Sequence, residues 1–169
     1  MGMISVSLPD GSVNEYTVGI TAGEIVIDIE GRKHDCVAAL VDGEERDFSS
    51  EITSDCAVEG ISLYSDAGMY ILRHSAAHLL AQAISELYPD AKPTIGPPID
   101  RGFYYDFADL QDFGADELKK VQKKMHELAR KNLPILRIEH SEAELSDMFA
   151  NNPYKIEIIK ERIDEGAGS

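Results

Sequence analysis

Apolar and polar side chains alternate from Ile4 to Leu8 and again from Val13 to Val18, with Pro9-Asp10-Gly11 between the two runs. Alternation of period two around a turn tripeptide predicts a β-hairpin. The period then changes, because Ile25, Val26 and Ile29 recur at helical spacing behind Thr21 and Glu24. Thr-x-x-Glu is a capping box, in which the threonine oxygen takes an amide of the first turn and the glutamate bonds back to the cap. Gly31 is the expected stop. An apolar run from Cys36 to Val41, the Asp42-Gly43 turn, a continuation from Arg46 to Phe48 and a run from Gly60 to Tyr64 predict later strands. A hairpin, a crossing helix and further strands in such a short length form the pattern of a ubiquitin-like β-grasp, which periodicity alone does not separate from other small α+β folds.

Ser65-Asp66-Ala67-Gly68 reads as a short join, after which helical periodicity runs from Met69 to Leu87 and stops near Pro89. Lys92 to Phe107 is rich in proline, glycine and aromatics and reads as a loop feeding a strand. Asp116 to Lys131 predicts an amphipathic helix with Leu118, Val121, Met125 and Leu128 on its apolar face. Leu133 to Ile138 predicts a strand, Ser141-Glu-Ala-Glu144 caps a short helix, and Asn152-Pro153 opens a last segment through Ile163. The expected organisation is therefore two α+β units, 1–64 and 65–169, without internal repeats.

Composition narrows the class. Hydrophobic residues are 43% and charged residues 28% of the 169, the balance of a soluble globular chain. The longest nearly apolar stretch, Ala76 to Ile84, contains His78 and Gln82 and falls short of the roughly 18 apolar residues of a membrane span. The start lacks a basic region followed by an apolar run, so a cytoplasmic location is expected. Cys36 and Cys56 form no CxxC pair and read as small buried thiols. The net charge is -15, of which residues 1–64 carry -10. That acidity opposes an extended nucleic-acid footprint and leaves polyanion contact to the second unit.

His74-Ser-Ala-Ala-His78 places two imidazoles one turn apart on one face of the predicted helix. Such a pair binds one metal, shares one substrate or is simply two hydrogen-bonded surface histidines, and the spacing does not choose. It lacks the glutamate of HExxH, so no zinc-protease base is present. Downstream, Gly96-Pro97-Pro98 allows close approach of backbone to a ligand. In Gly102-Phe-Tyr-Tyr-Asp106, Tyr104 and Tyr105 would face opposite sides of a strand, with Asp106 on the side of Tyr104. That arrangement suits a polar pocket as readily as a core.

His74-Ser-Ala-Ala-His78, Ile95-Gly-Pro97, Gly102-Phe-Tyr-Tyr-Asp106 and Asn152-Pro-Tyr-Lys155 occur in the order and spacing of one family, and over essentially its whole length the sequence resembles threonyl-tRNA synthetases. The resemblance implies a TGS domain of β-grasp fold at 1–64 and, at 65–169, an editing domain like that of alanyl-tRNA synthetases. It implies that His74, His78 and Lys155 act in hydrolysis of mischarged seryl-tRNA(Thr), and that Tyr104, Asp106 and Gly96 bind the substrate. The partner implied is the acceptor end of tRNA(Thr).

No cofactor is implied for these residues, although the relation to alanyl-type editing proteins keeps zinc at His74 and His78 open. ATP, magnesium and another zinc belong to a catalytic ligase domain, through which the family forms homodimers. The chain departs from the family pattern in having no Cys after Cys56 and no His after His140. The Cys-x-x-x-His segment that completes the editing pocket is missing, and with it the expectation of robust activity. A monomeric, weakly active or inactive piece that cannot aminoacylate is expected. The alternatives are a non-catalytic TGS-containing module that binds RNA or protein, and a free-standing alanyl-type hydrolase, which would lack the leading β-grasp.

Overall fold

A computed structural model describes residues 2–133 and 138–164. The chain divides into two units, Met1–Leu72 and Arg73–Ser169. The division falls inside a helix rather than in the short join that the sequence suggests. No helix among the described residues is long and apolar enough to cross a membrane.

In the first unit the opening alternation forms β1 (Met3–Ser7) and β2 (Val13–Thr17), an antiparallel hairpin with Ser5 opposite Glu15. β3 (Ile20–Thr21) leads into α1 (Ala22–Glu30), whose N-cap Thr21 forms the expected capping box with Glu24. Gly31, at φ 83°, ends the helix with its N–H on the Ile27 carbonyl. β4 (Cys36–Val41) turns through Asp42 and Gly43, both left-handed, into β5 (Glu44–Arg46). That type of turn matches the twist of a two-residue hairpin. β6 (Glu51–Ile52) pairs with β3, and β7 (Cys56–Ser62) enters the middle of the main sheet.

The sheet order is β2-β1-β7-β4-β5, with β1 parallel to β7 and the other pairings antiparallel. This is the α+β β-grasp. Its core joins Ile4, Val6 and Val58 of the sheet to Ile25 and Val26 of α1. Cys36 and Cys56 are free and half-buried at its margin. Burial, followed by nearby carboxylates, pushes both thiols above their ordinary value, which keeps them protonated and unreactive at neutral pH. Two strand boundaries differ from expectation. The last strand begins at Cys56 because Val6 and Ser7 pair with Cys56 and Ala57, and β5 ends at Arg46.

α2 (Asp66–Leu87) begins three residues before the predicted Met69. Ser65 caps it, its Oγ accepting from the Gly68 N–H at 3.0 Å, so the expected join is the first helical turn. A Cβ on Gly68 would run into the Ser62 carbonyl, which explains a glycine at a helical position.

In the second unit, β8 (Lys92–Pro93), β9 (Pro98–Ile99), β10 (Gly102–Phe103) and β11 (Phe107–Ala108) form one interrupted antiparallel hairpin, β8 pairing with β11 and β9 with β10. Tyr104 to Asp106 lies outside the paired strands, although the Asp106 N–H and carbonyl still bond Ile95 and Thr94. The predicted continuous aromatic strand is therefore broken. α3 (Ala115–Arg130), α4 (Glu142–Met148) and α5 (Pro153–Asp164) follow, α4 with the predicted Ser141–Glu144 capping box. The core joins Ala83 and Ile84 of α2 to Val121 and Leu128 of α3, with Met125 and Phe107 packed against it. Leu118, expected on that apolar face, is 57% exposed because it lies one turn beyond the contact. The strand expected from Leu133 to Ile138 falls largely outside the described residues.

Candidate functional site

α2 carries His74 and His78 on one face, as their spacing requires, and the two Nε2 atoms lie 2.9 Å apart. At that distance one ring donates and the other accepts, so the neutral rings carry opposite tautomers. The ring planes cross at 61°. A second proton on the pair would set two N–H groups facing each other, so the pair behaves as one base. His78 is exposed overall, yet its surroundings favour the neutral form: partial desolvation of the ring first, then the charges of His74 and Lys155, hold its imidazole below the ordinary value.

Lys155 reaches this site from the first turn of α5. Burial alone lowers its ammonium from the usual lysine range, and among the described residues it forms no ion pair. Of the predicted residues, His74 and His78 are therefore in direct contact, and His74 and Lys155 both act on His78 through their charges.

The other three predicted residues have different positions. Tyr104 is 45% exposed on the hairpin. Asp106 holds the hairpin with its backbone. Among the described residues no hydrogen bond or ring contact joins Tyr104 or Asp106 to either imidazole. Gly96 serves packing: a Cβ there would overlap the Tyr105 ring, which is stacked on Phe107 at 5.0 Å. Burial raises the Tyr105 phenol above its ordinary value, so it is the inward member of the tyrosine pair. Gly96→Ala is expected to destabilise the second unit by about 1–3 kcal/mol, the usual cost of overpacking, read as a lower urea midpoint by circular dichroism.

Sequence reading missed two tertiary contacts. Arg73 donates to the Ile99 carbonyl at 3.3 Å, linking α2 to the hairpin. Asn152 donates through Nδ2 to the Pro93 carbonyl at 2.9 Å and accepts the Lys155 N–H at 3.2 Å. The Asn-Pro pair announces a helix start, but nothing local announces a bond to a residue so far away in sequence.

A zinc ion needs about four donors. The imidazoles supply two, and among the described residues no group of three His, Cys, Asp or Glu is placed to hold a metal. Their nitrogens bond each other instead, so the described residues do not by themselves fit a zinc site.

The lowered His78 value has a stability consequence. Because the folded value lies below the unfolded one, near 6.5, the unfolded chain takes up the proton first. The contribution is complete above the unfolded value and is lost as pH falls from there through the folded value. Lys155 adds no slope in this window, since it is protonated in both states. Urea midpoints between pH 7.5 and 5 should therefore fall less steeply for His78→Gln than for the parent chain.

Residues 4–61 match the TGS domain family. The chain is similar to the threonine–tRNA ligase of Pelodictyon phaeoclathratiforme, with 39% identity over 170 residues, covering 98% of this chain and 26% of that protein. It is similar to the enzyme of Thermoplasma acidophilum at 40% identity, covering 95% of this chain and 23% of the relative. For the enzyme of Burkholderia multivorans the identity is 43%, covering 94% and 25%. The chain thus spans about a quarter of the length of these relatives. Residues 4–61 are thus a TGS domain, and along nearly its whole length the chain is similar to part of the threonine–tRNA ligases.

Proposed function

We propose that this chain is part of a ligase that joins threonine to tRNA(Thr) using ATP, and that residues 65–169 contribute to a site that removes serine from mischarged seryl-tRNA(Thr). The observation that carries this reading is the hydrogen-bonded His74–His78 pair, with the charge of the partly desolvated Lys155 acting on His78.

Such a site is needed because serine lacks one methyl of threonine, worth only about 1–3 kcal/mol of discrimination in a binding pocket. A second, hydrolytic site excludes threonine by size. The ester is already activated, so the chemistry asks only for a positioned water, a proton acceptor and a positive group near the developing oxyanion. The unprotonated Nδ1 of the ring that donates within the pair holds the water and takes its proton as oxygen attacks the ester carbon. Lys155 stabilises the oxyanion, and the other imidazole orients the ribose of the terminal adenosine. Collapse breaks the ester bond, and the proton passes to the departing ribose hydroxyl. The products are serine and free tRNA.

Tyr104 and Asp106 stand on the neighbouring hairpin, where they contact substrate rather than catalytic groups. The acceptor end of tRNA approaches this second unit, since residues 1–64 carry a charge of -10. Both imidazoles are exposed, so this chain alone excludes water and threonine poorly and hydrolyses the ester weakly.

The test compares release of serine and threonine from the two charged tRNAs by the parent ligase and by this chain. Faster loss of serine by the parent, with weak turnover by the chain, is expected. Equal rates with both esters would sink the proofreading reading, and tRNA binding without any hydrolysis would favour a non-catalytic module.

A further inference from the structure

We propose that Asn152 is a positioning residue: by bonding the Pro93 carbonyl with its amide and the Lys155 N–H with its oxygen, it pins the start of α5 to β8 and fixes where Lys155 stands. Its consequence for hydrolysis rests on the proofreading reading, while the geometry does not.

A helix N-cap needs only an acceptor for an orphan amide of the first turn, and the side-chain oxygen of Asn152 provides it at 3.2 Å. The Asn152 carbonyl also accepts the Ile156 N–H, and Pro153 occupies the first helical position, where its missing N–H costs nothing. Capping therefore leaves the Nδ2 donors unused. One of them goes to Pro93, 59 residues earlier, at 2.9 Å.

Serine, threonine or aspartate would cap as well, yet none carries an amide donor. The choice of asparagine thus answers a second requirement, attachment to the hairpin strand. α5 has no fully buried residue of its own among those described, so little apolar packing fixes its start. A polar tie at the cap carries that task, and Lys155 lies three residues from it.

Asn152→Ser separates capping from attachment, because the hydroxyl keeps the cap and loses the amide. In this chain, circular dichroism should show helicity close to the parent, since cap exchange among these residues costs only a few tenths of a kcal/mol. NMR titration of isotope-labelled lysine should show the Lys155 ammonium returning toward the ordinary lysine value. In the parent ligase, kcat for seryl-tRNA hydrolysis should fall on the order of 10- to 100-fold with little change in KM, the scale expected for a misplaced catalytic group. Asn152→Ala, which loses both bonds, should in addition lower helicity.

An unchanged Lys155 titration in Asn152→Ser would overturn the proposal, as would full recovery by serine of everything alanine loses. A shifted Lys155 in a parent that hydrolyses no seryl-tRNA would uphold the positioning role and sink the proofreading function.

Discussion

Replacing His78 by alanine is expected to slow seryl-tRNA hydrolysis by the parent ligase by roughly 10²- to 10⁴-fold, the usual contribution of a positioned acid–base group. The imidazole pair is the reason. With Nε2 atoms 2.9 Å apart, each ring sets the tautomer of the other, and removing either takes away the hydrogen bond that selects which nitrogen the survivor presents. His74→Ala should therefore cost about as much as His78→Ala, and the double variant little more, because groups that act as a unit are not additive. Serine release from charged tRNA is the measurement, with threonylation of tRNA as the control that should persist. Single variants that retain a third or more of the parent rate, or effects that multiply in the double variant, would show that the rings do not act together in catalysis.

Ile25→Ala should unfold the first unit far more easily. Ile25 is 0% exposed in the middle of α1 and belongs to the cluster of Ile4, Val6, Val26 and Val58. Truncating such a side chain removes its transfer energy and leaves a cavity, together about 2–5 kcal/mol. A domain of this size is only marginally stable, so its melting temperature should drop on the order of 10 °C or more. Ile27, two residues along the same helix, is 42% exposed. Ile27→Ala changes helix propensity little and should stay within about 1 kcal/mol of the parent chain. Thermal denaturation of this chain with each substitution decides the matter. Similar shifts for the two isoleucines would mean that α1 does not pack as described.

Most of the first unit was legible because its signals are local. The Thr21–Glu24 capping box, the Gly31 stop and the Asp42-Gly43 turn each act over four residues or fewer and appear as read. Where the reading slipped, a distant partner decided. The final strand starts at Cys56 because β1 offers Val6 and Ser7 to pair with, and Leu118 is exposed because the α3 contact with the core runs from Val121 through Met125 to Leu128. At the break from Tyr104 to Asp106, Tyr105 lies over Gly96 on the opposite arm of the hairpin, a contact that no local pattern announces.

The candidate site divides along the same line. Sequence alone determined that His74 and His78 share a helix face, since a spacing of four is one helical turn. It also determined that a helix begins at Asn152-Pro153, since the cap and the proline at its first position act on adjacent residues. Only the tertiary structure decided that the imidazoles bond each other, that Lys155 stands close enough to lower the His78 value, and that Gly96 is a seat for Tyr105. It alone tied Asn152 to Pro93. Helix capping and side-chain periodicity are short-range effects written in neighbouring residues. The protonation state of a histidine and the anchorage of a helix depend on which distant segments exclude water and meet in space, and no local pattern encodes that.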